Sequence, residues 1–434
     1  MKIESRWPDW KEYGNGPDNS GDKTFSEVKA AVIEEYGEEA LRRGWLEVCK
    51  SLETVTESLI KLGSDAVPVH HMDALRDRGL STDEQDQIRT RGCCIVRGVI
   101  PKDEINSLFV DVKEFVTKNK GKISGWPAET QSIYNLYNSP TQVAMRTHPN
   151  ELRVQKLLND LYRDDTGRTS TEPLSYTDAI RIRPPGQPFL GLGPHIDAGS
   201  LARWADPKYR KVYDAIFSGS PEAHDAFDLG VRQDADQFLF PGKAHSVIFR
   251  AFQGWTALTP ADAGEGTLLL YPDVKRVISY LLLRPFFSPP ENGEDVMDYT
   301  KWTFDATSTG FPGTTKPDSQ RLSVTSHPHL RLRECMVYIP RMEPGDTVWW
   351  HADMCHAVDP DHQGSLDASV AYIGACPTTE INKRYVKSQL EAALAGKPPP
   401  DCLGLETDET TLDGYKGFDH VSAEGKAALG FGLL

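Results

Sequence analysis

The chain has 434 residues, 39% of them hydrophobic and 26% charged, with a formal charge of −15. That balance suits a globular chain with a large core and disfavours nucleic acid or an anionic membrane as the main partner, since both require concentrated Lys and Arg. No run approaches the roughly 18–20 apolar residues that cross a bilayer, so the expected setting is cytoplasmic and the expected partner a small-molecule substrate.

At roughly 100–200 residues per domain the length allows two or three domains, or one β-core carrying insertions. The N-terminal stretch MKIESRWPDWKEYGNG lacks the apolar segment of a secretory signal. Seven cysteines, none in a CxxC pair and two of them adjacent (Cys93, Cys94), read as buried thiols in a reducing compartment.

Residues 1–90 read as a helical region packed on the rest. Thr24 and Glu27 have the spacing of a capping box. Leu41, Trp45, Val48, Leu52, Val55, Leu59 and Leu62 recur at intervals of four and three up to Gly63, which marks one apolar helix face, unbroken or interrupted near Gly37 or Gly44. Cys93–Val96 reads as a strand, residues around Ile105–Phe115 as a helix, and Gln142–Leu161 as another helix.

From Tyr176 short runs such as AIRIRPPGQPF, GWTALTP, GTLLLYPD, TVWWHAD and ASVAYIGACP alternate with Pro and Gly turns, the pattern of a β-sandwich or barrel. Two stretches near 205–242 and 284–328 read as long loop insertions of the kind that build sites on a β-core. A helix near Tyr385–Leu394 precedes a C-terminal tail. The expected organisation is a core over 91–380, followed by a helix and tail over 381–434.

The sharpest chemical signal is Gly193-Pro194-His195-Ile196-Asp197. On a strand, residues i and i+2 share a face, so His195 and Asp197 can grip one cation. A third ligand must come from afar, and His356 in Met354-Cys355-His356-Ala357-Val358 is the preferred candidate over His351. Two histidines and one carboxylate leave half of a metal's coordination sphere open, the arrangement associated with Fe(II) oxygenases.

Trp255-Thr256-Ala257-Leu258, Glu265-Gly266-Thr267-Leu268 and Tyr271-Pro272-Asp273 resemble the W-x-A-L … n-G-x-L … i-P-G segment of phytanoyl-CoA-hydroxylase-like oxygenases, which lies there too between the HxD and the distal His. Within that superfamily the stretches INLYNSP, RIRPPGQPFLGLGPHIDAGSLARW and PGDTVWWHADMCHAV are most similar to the YbiU-like branch of bacterial and fungal proteins. The resemblance spans about residues 90–380. It implies an α+β fold with a double-stranded β-helix (jelly-roll) core. It further implies Fe(II) held by His195, Asp197 and His356, with 2-oxoglutarate as cosubstrate and O2 as oxidant. The implied activity is oxidation, most simply hydroxylation, of a small organic substrate with release of succinate and CO2.

One departure bears on the cosubstrate. The wider superfamily places an Arg roughly ten residues after the distal His, where this chain has Ser365-Leu366-Asp367-Ala368-Ser369. A dicarboxylate still needs a cation, and the fork of Arg suits it. The candidates are Arg183, then Arg250, then Arg181, with Ser369 as a further hydrogen-bond donor; Arg203 and Trp255 are candidates for contact with substrate. The missing Arg leaves open two other readings: a zinc hydrolase using the same three ligands and a non-catalytic jelly-roll binding protein.

Overall fold

The computed structural model describes residues 21–187, 191–242, 245–402 and 407–434. The N-terminal stretch read for a secretory signal falls outside them, apart from its neighbours beyond residue 20, as do residues 188–190 just before the HxD motif.

Two sheets organise this mixed α+β chain. In the larger, the order is Val69–His71, Cys93–Arg97, Thr347–His351, Phe252–Ala257, Ala368–Thr378, Ile180–Arg183, Ile133–Tyr134 and Gly125–Trp126, with Ser170–Ser175 pairing the far end of Ala368–Thr378. The smaller runs Gln320–Arg321, Leu192–Ile196, His356–Val358, Leu268–Leu270 and Val337–Tyr338. Apart from the parallel pairing of Val69–His71 with Cys93–Arg97, neighbours in both are antiparallel. From Ile180 onward the long-range strands largely alternate between sheets: 180–183 larger, 192–196 smaller, 252–257 larger, 268–270 smaller, 347–351 larger, 356–358 smaller, 368–378 larger.

Helices cover the outer faces. Glu38–Leu62 starts after Gly37 and stops at Gly63, both at positive φ. The interruption foreseen near Gly37 or Gly44 therefore falls at Gly37, and Gly44 stays helical, where its bare Cα admits the Ile216 carbonyl at 3.1 Å from an added Cβ. The helix buries Leu41, Trp45, Val48, Leu52 and Leu59, as the spacing requires. Trp45 stacks on Phe287 and Tyr280, with ring centroids 4.6 and 5.3 Å apart, inside one apolar cluster with Ile196, Leu269 and Ala357 of the smaller sheet. The two metal-candidate strands of that sheet are thus backed by a continuous aromatic core.

Several expectations change. Asp22, not a Thr24–Glu27 box, caps the first helix, Lys23–Tyr36, because its carboxylate accepts the Thr24 amide at 3.0 Å. The Gln142–Leu161 helix is two helices, Pro140–Arg146 and Pro149–Asn159, since Pro149 cannot continue the first. The 205–242 insertion is not simply loop: Pro207–Val212, Asp214–Phe217 and Leu229–Arg232 are short helices. The 284–328 insertion supplies the edge strand Gln320–Arg321. The described part of the tail is anchored, with the Glu409 carboxylate accepting the Tyr137 and Asn138 amides at 2.6 and 2.7 Å. All seven cysteines are unpaired and six are buried. Among the described residues, no helix is long and apolar enough to cross a membrane.

Candidate metal centre

Leu192–Ile196 and His356–Val358 are adjacent antiparallel strands, and their register sets His195 directly opposite His356. The two rings lie 4.2 Å apart between centroids. Asp197 follows the end of its strand and bridges them: Oδ1 is 3.4 Å from His195 Nε2 and Oδ2 is 3.4 Å from His356 Nε2. One ligand atom from each of the three can be chosen so that all lie within 4.8 Å of one another.

The surroundings fix which nitrogens face inward. His195 Nδ1 meets the Gly193 carbonyl at 2.8 Å and His356 Nδ1 meets the Met354 carbonyl at 3.1 Å. With Nδ1–H donating to backbone, each Nε2 presents its lone pair to the Asp197 side, the arrangement usual for histidines that bind metal. The Ser319 hydroxyl donates to Asp197 Oδ1 at 3.2 Å from the segment leading into the Gln320–Arg321 edge strand.

Burial disfavours charge on all three groups. At Asp197 the two imidazoles outweigh burial and hold the carboxyl well below the usual carboxylate range. At His195 the Asp197 carboxylate outweighs it and raises the imidazole. At His356 burial and the charge of His195 prevail and lower it. An ionised carboxylate between two imidazoles is the charge pattern a divalent cation completes, and the donor set fits Fe(II).

The turn after the strand is strained: Ala198 and Ser200 adopt φ of +57° and +30°, on either side of Gly199 at +72°. L-residues in this region typically cost about 1–3 kcal/mol each. Arg203 holds the turn, its Nη2 donating to the Asp197 and Ala198 carbonyls at 3.3 and 3.4 Å. Its Nη1 reaches Asp353 Oδ1 at 2.5 Å, and Arg232 pairs with the same buried carboxylate. Arg203 does not line the cavity, which corrects the expectation that it meets substrate; a buried carboxylate from beside the distal histidine claims it.

The triad opens into a cavity of about 210 Å³ between the two sheets, lined among others by Asp178, Arg181, Arg250, Gln253, Trp255, Trp350 and Tyr372 from the larger sheet side and by Leu192, Leu268 and Val358 from the smaller. Trp255 therefore faces the cavity. Of the three arginine candidates, Arg183 does not line it: its guanidinium donates to the carbonyls of Asp359 and Pro360 at 3.3 and 2.6 Å. Ser369 also lies outside. It pairs with Ile182, whereas its neighbour Val370 pairs with Arg181, so the alternation of the strand turns Ser369 to the opposite face. Its amide donates to Thr259 Oγ1 at 2.9 Å.

Arg181 and Arg250 do line the cavity. Arg181 is 4% exposed and forms no ion pair among the described residues, its Nε lacking any hydrogen-bond partner. It faces Val370 across the strand pair, on the strand that follows the distal histidine. His351 turns away from the triad, with Nε2 on the Ala226 carbonyl at 3.0 Å and its ring stacked on Tyr162.

Several residues of the site escaped the sequence reading. Gln253 lies two residues before Trp255, and its Oε1 accepts the Trp350 indole N–H at 3.1 Å. Tyr372 pairs directly with Trp255. Gln253 follows from the two-residue strand period once Trp255 is taken to face inward, whereas Tyr372 is placed by the register between two strands. Asp178 and Ser319 carry no local signal, because they lie outside the strands and reach the site only through the fold.

A family model described as Gig2-like matches residues 20–431. The chain is 30% identical over 389 residues to the Uncharacterized protein YbiU of Escherichia coli (strain K12), covering 86% of this chain and 87% of that protein. Among solved structures it is similar to GlcNAc Inducible Gene 2 (GIG2, DUF1479) of Candida albicans, with a TM-score of 0.84 and 29% identity over 94% of this chain and 89% of that one. A hypothetical protein, JW0805 from Escherichia coli, superposes with a TM-score of 0.79 and 26% identity over 94% and 96% of the two chains. A protein of Salmonella typhimurium LT2, assigned only provisionally as an oxidoreductase, does so at 0.81 and 25% over 96% and 99%. With a match that runs through nearly the whole chain, both sheets and all three candidate ligands included, this chain belongs to the Gig2-like family.

Proposed function

We propose that this chain is a non-haem Fe(II)/2-oxoglutarate-dependent oxygenase that oxidises, most simply by hydroxylation, a small organic substrate. The observation that carries the reading is the convergence of His195, Asp197 and His356, from two segments far apart in sequence, on one point of a cavity between two sheets. The alternation of strands between those sheets supports a double-stranded β-helix core. The remaining regions act as the N-terminal helical cover and the C-terminal wrap.

Fe(II) with 2-oxoglutarate and O2 would supply the oxidising power, with succinate and CO2 as the other products. The chain's own part is positional. His195, Asp197 and His356 would hold the metal, and the triad faces the cavity that cosubstrate and oxygen would enter. Arg181, buried and without an ion-pair partner among the described residues, offers its guanidinium to the far carboxylate of the cosubstrate. Val370 stands opposite it on the strand pair, so no second cation faces it from that position. Leu192, Leu268 and Val358 form an apolar wall that limits water near the reacting centre.

The test is an anaerobic titration with Fe(II) and 2-oxoglutarate, followed by the weak visible charge-transfer band of the chelate. The wild type should develop the band, and His195→Ala or Asp197→Ala should abolish it. Full metal and cosubstrate binding by both variants would overturn the reading.

A further inference from the structure

The cavity holds two arginines and two carboxylates that play different parts. Asp197 belongs to the triad, and Arg181 has no ion-pair partner among the described residues. Arg250 and Asp178 form a second, separate pair, with Nη1 and Oδ2 3.8 Å apart. That distance is an ion pair without a hydrogen bond. Among the described residues the Arg250 guanidinium makes no hydrogen bond at all, although its face lies 5.0 Å from the Tyr176 ring centre. Asp178 Oδ1 accepts the Ala179 amide at 2.7 Å, which leaves Oδ2 available. Arg250 thus has unused donors and Asp178 an unused acceptor, both on the cavity wall. They sit near enough to the triad for the Asp197 charge to act on each of them.

The charge count decides what this pair accepts. On the oxygenase reading, Fe(II) contributes two positive charges, Asp197 one negative, 2-oxoglutarate two negative and Arg181 one positive, which sums to zero. Arg250 and Asp178 cancel each other. A plain anion at this pair would meet Arg250 at the cost of repulsion from Asp178, and a plain cation would meet the reverse. A ligand carrying both signs a few ångströms apart satisfies the free donors and the free acceptor together and matches the charge of each. The volume of about 210 Å³ lies below the ~300–1,000 Å³ of pockets for drug-sized ligands and selects a small solute.

We propose that Arg250 and Asp178 form the substrate subsite and that the substrate is a small zwitterion of the amino-acid type, its carboxylate on Arg250 and its ammonium group on Asp178. This rests on the oxygenase reading. The pair lines the same cavity as the triad, so a molecule anchored there would be held in the space the triad faces.

The experiment uses full-length protein loaded anaerobically with Fe(II) and 2-oxoglutarate, titrated with matched probes. These are leucine, 4-methylpentanoate and isopentylamine, and phenylalanine, 3-phenylpropanoate and phenethylamine. The readouts are perturbation of the visible band and, after admission of air, succinate formation. The zwitterions should bind at least tenfold tighter than either single-charge analogue. Asp178→Asn should weaken the zwitterion about tenfold while tightening the simple carboxylate, and Arg250→Met should weaken both. Carboxylates binding as tightly as zwitterions, an unchanged preference in Asp178→Asn, or no response to any zwitterion by a wild type that forms the band would overturn the substrate assignment alone. A wild type that never forms the band fails at the earlier step, and both readings fall.

Discussion

Replacing Asp353 with Asn tests how the metal-candidate turn is held. Asp353 is fully buried and paired with Arg203 and Arg232, which are 1% and 3% exposed, and it also accepts the Tyr213 hydroxyl at 3.1 Å. Burial opposes its ionisation, but Arg232 and then Arg203 prevail and hold the carboxyl well below the usual range. Asn keeps the shape and removes the charge, leaving two guanidinium groups buried against each other. Breaking a buried pair by removing one partner typically costs about 3–5 kcal/mol. The loss should register in urea unfolding as a lower midpoint at unchanged slope.

A second readout separates this network from general packing. Arg203 also donates to the Asp197 and Ala198 carbonyls, so its displacement should loosen the proximal ligand, and groups that orient metal ligands are typically worth about 10–100-fold in affinity. Because the folded-state carboxyl is depressed, its contribution is present above the unfolded value near 4 and is lost as pH falls below it. The variant should therefore lack that part of the acid transition. A loss under about 1 kcal/mol, relative to the 3–5 expected, with undiminished Fe(II) affinity would refute the reasoning. So would an Arg203→Met variant that changed only the KM for substrate.

Arg181→Met should raise the 2-oxoglutarate KM by roughly 10–100-fold, the equivalent of one charge-assisted interaction of about 1.5–3 kcal/mol, whereas Arg183→Met should act on stability, as steady-state kinetics beside thermal melts will show. Glu151 is fully buried with no cation beside it among the described residues, and burial, opposed only by Gln155, raises it to about 8. The folded state then keeps a proton that the unfolded chain loses above about 4.5, so stability should fall between pH 4.5 and 8 by at most ~1.4 kcal/mol per pH unit; Glu151→Gln should flatten that slope in pH-dependent urea unfolding. Gly313 sits at φ +68° with the Arg321 carbonyl oxygen where a Cβ would go. Gly313→Ala should push away the Gln320–Arg321 edge strand, along with Ser319 on Asp197, and lower Fe(II) affinity by isothermal titration as well as the melting temperature.

Repeating patterns along the chain sufficed for much of the architecture. The four-and-three spacing from Leu41 to Leu59 specifies a helix face because any helix must bury such a stripe, and the helix is there. The HxD spacing works in a similar way: a two-residue period puts His195 and Asp197 on one side of extended backbone, and that side is kept although the strand itself ends at Ile196. Capping was less legible. Thr24 and Glu27 matched a motif, but Asp22 was nearer the first free amides and took the cap.

The pairing of His195 with His356 and the fate of each arginine were decided only by the tertiary structure. Arg181 and Arg183 look equivalent in the sequence, two residues apart on one strand face. In the fold one reaches an open cavity and the other meets the carbonyls of Asp359 and Pro360. Arg203 follows the HxD motif closely, yet Asp353, 150 residues onward, draws it into the core. Local periodicity fixes the direction in which a side chain leaves the backbone. What it meets there depends on chain segments brought together by burial, and a single sequence carries no local mark of that encounter.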